Sequence, residues 1–147
     1  MKVFFVAAVL CAISSTASAQ IMEMNGTWKL STERTLGPAP KEETLVYRIK
    51  PGEQAYTMDS IEADGRKGHA EWAAKYDGHD QPTAGAPGVT VSLQKLDRNT
   101  ELVTNKRDGK VTSTYTRVLV DDGKTIMSIG RNANNKVIWV RVFEKQP

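Results

Sequence analysis

From residue 26 onward, apolar and polar residues alternate with a period of two, which predicts strands, each half-buried. In 88–96, Val89, Val91 and Leu93 fall on one side and Thr90, Ser92 and Gln94 on the other. In 67–76, Ala70, Trp72, Ala74 and Tyr76 oppose His69, Glu71, Ala73 and Lys75, and the small residues leave room beside the rings. The last segment differs: Val137, Trp139, Arg141 and Phe143 alternate with Ile138, Val140 and Val142, so both faces are largely apolar and the strand should be covered on both sides. Turn signals punctuate these segments at Asp64-Gly65, Asp77-Gly78, Asp97-Arg98-Asn99, Asp108-Gly109, Asp122-Gly123 and Asn132-Ala133-Asn134-Asn135. The pattern predicts nine strands, at 26–31, 44–50, 54–63, 67–76, 88–96, 99–107, 110–120, 124–130 and 136–145. Apolar residues keep helical spacing for three turns nowhere in this region, which excludes a parallel sheet with crossover helices.

An antiparallel up-and-down meander has two unpaired edges, and closure into a barrel removes both. A barrel of about 8–10 strands has an interior that side chains fill or that holds one small ligand. An enclosed volume of roughly 300 Å³ or more would mark a binding barrel, and a solid interior a structural one. Two longer connections interrupt the meander: 32–43, with Gly37, Pro38 and Pro40, and 79–88, with Pro82, Gly85 and Pro87. Both read as irregular connections ahead of lids.

The first residues are of another kind. Lys2, the apolar run of eleven from Val3 to Ile13, and Ala17-Ser18-Ala19 read as a secretory signal cleaved before Gln20. The expected mature chain is then one domain, 20–147, with a periplasmic or secreted location. The apolar run is too short for the roughly 20 residues that span a bilayer, so no stable membrane anchor is expected. Cys11, the one cysteine, falls inside the signal, which removes thiol catalysis, disulfides and Cys-ligated zinc from the mature chain. The formal charge of +3 drops to +2 without Lys2, too little for a nucleic-acid reader built on phosphate contacts.

Gly26-Thr27-Trp28 at the first strand resembles the Gly-x-Trp opening of lipocalins and fatty-acid-binding proteins. Asp108-Gly109-Lys110, the Thr-rich strand ending in Arg117, Asp122-Gly123-Lys124 and the closing Arg141-Val142-Phe143-Glu144-Lys145 resemble the last hairpins of fatty-acid-binding proteins. The whole chain is similar to small exported bacterial lipocalin-like proteins. The resemblance implies an all-β, lipocalin-like (calycin) barrel around a small apolar or amphipathic ligand. It implies Arg117 and Arg141 as carboxylate-binding candidates, with Phe143 where the family has a hydroxyl-bearing tyrosine. Arg117 falls one residue late against the family spacing, an offset that in a strand turns a side chain to the other face.

The candidate ligand-binding residues are Trp28, Trp72, Tyr115, Arg117, Trp139, Arg141 and Phe143. Trp28, Trp72, Trp139, Tyr47, Tyr56, Tyr76, Tyr115 and Phe143 carry all the rings after residue 20, and they line a cavity or form a filled core. If Arg141 points inward between Trp139 and Phe143, it needs a partner. One partner is an anionic ligand group. The other is Trp28, by stacking at the barrel base as in lipocalins, with a backbone carbonyl. His69 with Glu71 and His79 with Asp80 read as solvated turn residues, and no catalytic or metal site, and no cofactor, is assigned. The expected role is a non-catalytic, monomeric barrel binding a small molecule; a structural or protein-interaction barrel of the cell envelope is the alternative.

Overall fold

The computed structural model describes residues 23–120 and 123–147. The predicted signal, its cleavage point and Cys11 lie outside the described residues. Ten strands follow one another: β1 (Gly26–Leu30), β2 (Glu42–Lys50), β3 (Glu53–Ile61), β4 (Lys67–Lys75), β5 (Gln81–Pro82), β6 (Val89–Lys95), β7 (Thr100–Arg107), β8 (Lys110–Val120), β9 (Thr125–Asn132) and β10 (Val137–Lys145). A short 3₁₀ turn, Thr32–Arg34, follows β1. The nine expected segments all form strands. The added one, β5, is a two-residue pairing with β6 inside the 79–88 connection.

All pairings are antiparallel, in the order β4-β3-β2-β1-β10-β9-β8-β7-β6-β5. Consecutive strands pair everywhere except between β4 and β5, and β1 closes the ring against β10 through Trp28↔Lys145 and Leu30↔Phe143. Closure therefore joins the outer strands of the meander, but it leaves a seam in its middle. Pro82 and Pro87 cannot donate ladder hydrogen bonds, and the chain there crosses the seam with single contacts such as Ala84 N–H to Glu71 O at 3.1 Å. The β7–β8 turn shows why Asp-Gly marks hairpins: Asp108 and Gly109 both have positive φ, 49° and 77°.

The 32–43 connection is tied down rather than free. Leu36 and Val140 exchange backbone hydrogen bonds of 2.8 and 2.9 Å, so the chain leaves β1 and rejoins the edge of β10 further up. The expected cover over both faces of β10 is only half present. Val142 is buried, but Val137 and Ile138 are 46% and 42% exposed, because nothing described packs outside that end of the strand.

One end of the barrel is packed solid by Met24, Trp28, Leu45, Tyr47, Leu93, Val103, Leu119 and Ile126. Trp28 ties this end together: its indole N–H donates to Met24 O at 2.7 Å, and Lys145 Nζ lies 5.2 Å from its ring centroid. Lys145 in turn donates to Glu23 O at 2.6 Å. Replacing Trp28 with Phe removes the buried hydrogen bond and weakens the cation contact, and it should cost about 1–3 kcal/mol in urea denaturation. A loss below about 0.5 kcal/mol would show that this tie does not hold the closure.

Candidate functional site

Strand register brings the interior groups into cross-strand rows. Across β7, β8, β9 and β10 the partners Glu101↔Arg117↔Ser128↔Arg141 form one row, and Val103↔Tyr115↔Gly130↔Trp139 form the next. On the opposite wall, Tyr47↔Tyr56↔Trp72 make a third row across β2, β3 and β4. Side chains at alternate positions share a face, so each row is a set of groups forced inward together.

Arg117 is 3% exposed and faces the interior, so the one-residue offset against the family spacing does not turn it outward. Its phase agrees with Leu119 and Tyr115, the apolar positions of its own strand, and burial follows that phase. Glu101, fully buried, accepts from Arg117 at 3.3 Å, from Gln54 Nε2 at 3.4 Å and lies 3.3 Å from the Tyr76 hydroxyl. The guanidinium also lies over Tyr56 at 4.5 Å and near Tyr47 at 5.5 Å. Burial opposes its charge, but Tyr47, Tyr56 and Glu101 outweigh burial and hold its pKa above the ordinary arginine value.

Arg141 makes a second pair. It donates to Glu43 across the space above β1, where the first strand has already ended, and it lies 4.4 Å over the Trp139 ring. The expected stacking of Arg141 on Trp28 is thus not the observed one: Arg141 sits on Trp139, and Lys145 occupies Trp28. Glu43 is 6% exposed. Burial raises its pKa above the ordinary glutamate value, Arg141 and Arg117 pull it back, and Glu62 pushes it up. Burial likewise raises the Tyr47 and Tyr56 hydroxyls well above ordinary tyrosine.

These groups surround a cavity of about 130 Å³ lined by Glu43, Leu45, Tyr56, Met58, Ala70, Trp72, Asn105, Tyr115, Arg117, Ser128, Trp139, Arg141 and Phe143. Its floor is buried, and Met58, Ala70, Asn105, Tyr115, Trp139 and Arg141 form a half-buried rim. Six of the seven candidate residues, Trp72, Tyr115, Arg117, Trp139, Arg141 and Phe143, meet on this one cavity. Trp28 does not, because its ring fills the packed end. Two buried polar atoms near this interior, Arg141 Nε and the Tyr47 hydroxyl, have no hydrogen-bond partner. Both arginines are already paired with glutamates, so the carboxylate-capturing role that the resemblance implies for them is occupied from within.

The sequence reading missed Glu43, Glu101, Ser128 and Gly130 as site residues and named Tyr56 only among the rings of a cavity or a core. The signal was phase: Glu43 alternates with Leu45, Tyr47 and Ile49, and Glu101 with Val103, so each carboxylate is in step with buried neighbours. Gly130 acts by what it lacks. A Cβ there would overlap the Trp139 ring, and its absence lets Tyr115 and Trp139 lie across it with ring centroids 5.3 Å apart.

Among solved structures, the chain is similar to the wild-type fluorescent protein UnaG, with a TM-score of 0.59 and 18% identity over 83% of this chain and 96% of that one. It is also similar to the zebrafish ileal bile acid-binding protein complexed with cholic acid, with a TM-score of 0.55 and 10% identity over 84% of this chain and 99% of that one. The fold is a calycin-type barrel. No family model and no curated protein matches the chain. The calycin barrel agrees with what the Gly-Thr-Trp opening and closing hairpins implied.

Gly130→Ala should drive Trp139 off its place beside Tyr115 and cost about 1–3 kcal/mol from overpacking. Near-UV circular dichroism and urea denaturation read the two effects; an unchanged aromatic signal would show that Gly130 does not set the ring pair.

Proposed function

We propose that this chain is a non-catalytic barrel protein that binds one small amphipathic molecule in its interior, exported to the periplasm or beyond, in the manner of the small bacterial lipocalin-like proteins it resembles. The observation that carries the reading is an interior cavity lined by aromatic rings and by Arg141, whose buried Nε–H has no hydrogen-bond partner. A buried donor without an acceptor costs about 1–3 kcal/mol. A ligand acceptor placed there recovers that cost, and the rings on either side supply apolar area. The two solved relatives lend support through their shared fold, one of them holding cholic acid.

The cavity of about 130 Å³ falls short of the roughly 300 Å³ expected of a binding barrel, which is the one observation that favours a filled structural barrel. A ligand therefore has to be small, or the half-buried Met58 and Trp139 have to swing aside. Native mass spectrometry of protein purified from its own host tests the reading. A copurifying small molecule supports it; repeated absence, together with no binding of a fluorescent lipid probe, overturns it in favour of the structural barrel. Trp72→Ala removes a cavity wall and should weaken probe binding about tenfold or more, while Trp28→Phe should leave affinity unchanged.

A further inference from the structure

The charge inside the barrel is balanced before anything binds. The cavity is lined by Glu43, Arg117 and Arg141, and Glu101 lies against Arg117 just beneath, so two cations face two anions. Glu62, whose charge reaches Glu43, adds a negative field at that side. A carboxylate entering this space finds no free cation. Accepting from Arg141 Nε–H, it would bring a third anion beside Glu43 and Glu101 into a buried space whose charges already balance, and such an uncompensated charge is strongly disfavoured. A neutral acceptor meets no such barrier, because it adds no charge and accepts a hydrogen bond from Arg141 Nε–H while both ion pairs stay intact.

Size narrows the choice further. An apolar cavity of about 150 Å³ holds one benzene ring. The present cavity, about 130 Å³ between Tyr56, Trp72, Tyr115 and Trp139, suits one flat ring with a short polar substituent. Resting on the binding role proposed above, we infer that the ligand class is an uncharged, single-ring aromatic compound bearing a hydrogen-bond acceptor, and not a fatty carboxylate.

Benzamide, benzoate and benzamidinium have nearly one shape and carry charges of zero, minus one and plus one. In isothermal titration of the wild-type protein at pH 7, benzamide should bind about tenfold or more tightly than either ion. Glu43→Gln leaves Arg141 without its counterion, and benzoate should then gain at least about tenfold on benzamide. Should that variant fail to fold, benzenesulfonamide against benzenesulfonate repeats the neutral-against-anion comparison on the wild-type protein, with the same order expected. Benzoate or the sulfonate binding the wild type as tightly as its neutral partner overturns the inference and leaves the binding role standing. Failure of all the ring probes while a fluorescent lipid probe still binds also overturns it, on size. Failure of every probe overturns both.

Discussion

A guanidinium at the centre of a small barrel has to be neutralised and enclosed, and much of the interior is arranged around that requirement at Arg117. Taking such a group out of water costs several kcal/mol unless hydrogen bonds and opposite charge surround it. Glu101 supplies the charge, Gln54 and Tyr76 supply further hydrogen bonding to Glu101, and Tyr47, Tyr56 and Trp72 close over the cation from the opposite wall. Groups on β2, β3, β4, β7 and β8 thereby converge on one atom cluster. Replacing such a pair by apolar side chains is often neutral or stabilising. Its presence here points to a use for a polar interior beyond stability alone.

The second pair works under different conditions. Arg141 and Glu43 lie nearer the half-buried rim, bridging two strands at a level where β1 has already turned away. The stacking of Arg141 on Trp139 depends on Gly130 leaving room for the indole. One missing methyl group on β9 thus positions a ring, the ring supports a cation, and the cation holds the carboxylate on β2. The electrostatics of the cavity are in this sense a consequence of backbone packing.

The architecture is largely legible in the sequence because period-two alternation and Asp-Gly turns are local signals. Each of the nine expected strands forms, and alternation puts Arg141 and Phe143 on one face of the last strand, which the barrel turns inward. What local signals do not carry is which groups meet. Trp28 lies on β1 and Arg141 on β10, the two strands that close the ring, yet they lie at different depths, since β1↔β10 register opposes Trp28 to Lys145 and not to Arg141. Glu43 and Glu101 are ordinary strand residues until register aligns them with arginines far away in the chain. The seam between β4 and β5 is a similar case: the prolines of 79–88 announce a break in pairing, but only the closed ring shows that this break is the one place among the described residues where neighbouring strands lack a ladder.

The closure of β1 on β10 also bears on how the chain reaches its native state. Contacts such as Lys145 with Glu23 join residues 122 positions apart, whereas nearly every other strand pairing is between neighbours in the chain. Loop-closure entropy makes such a long-range contact the slowest to be rewarded. The hairpins can assemble as two independent meanders, β1 to β4 and β5 to β10, with no ladder to be formed between them at the seam. The act that turns two sheets into a vessel is then a single late joining of their far edges, and the tryptophan at that joint serves as its clasp.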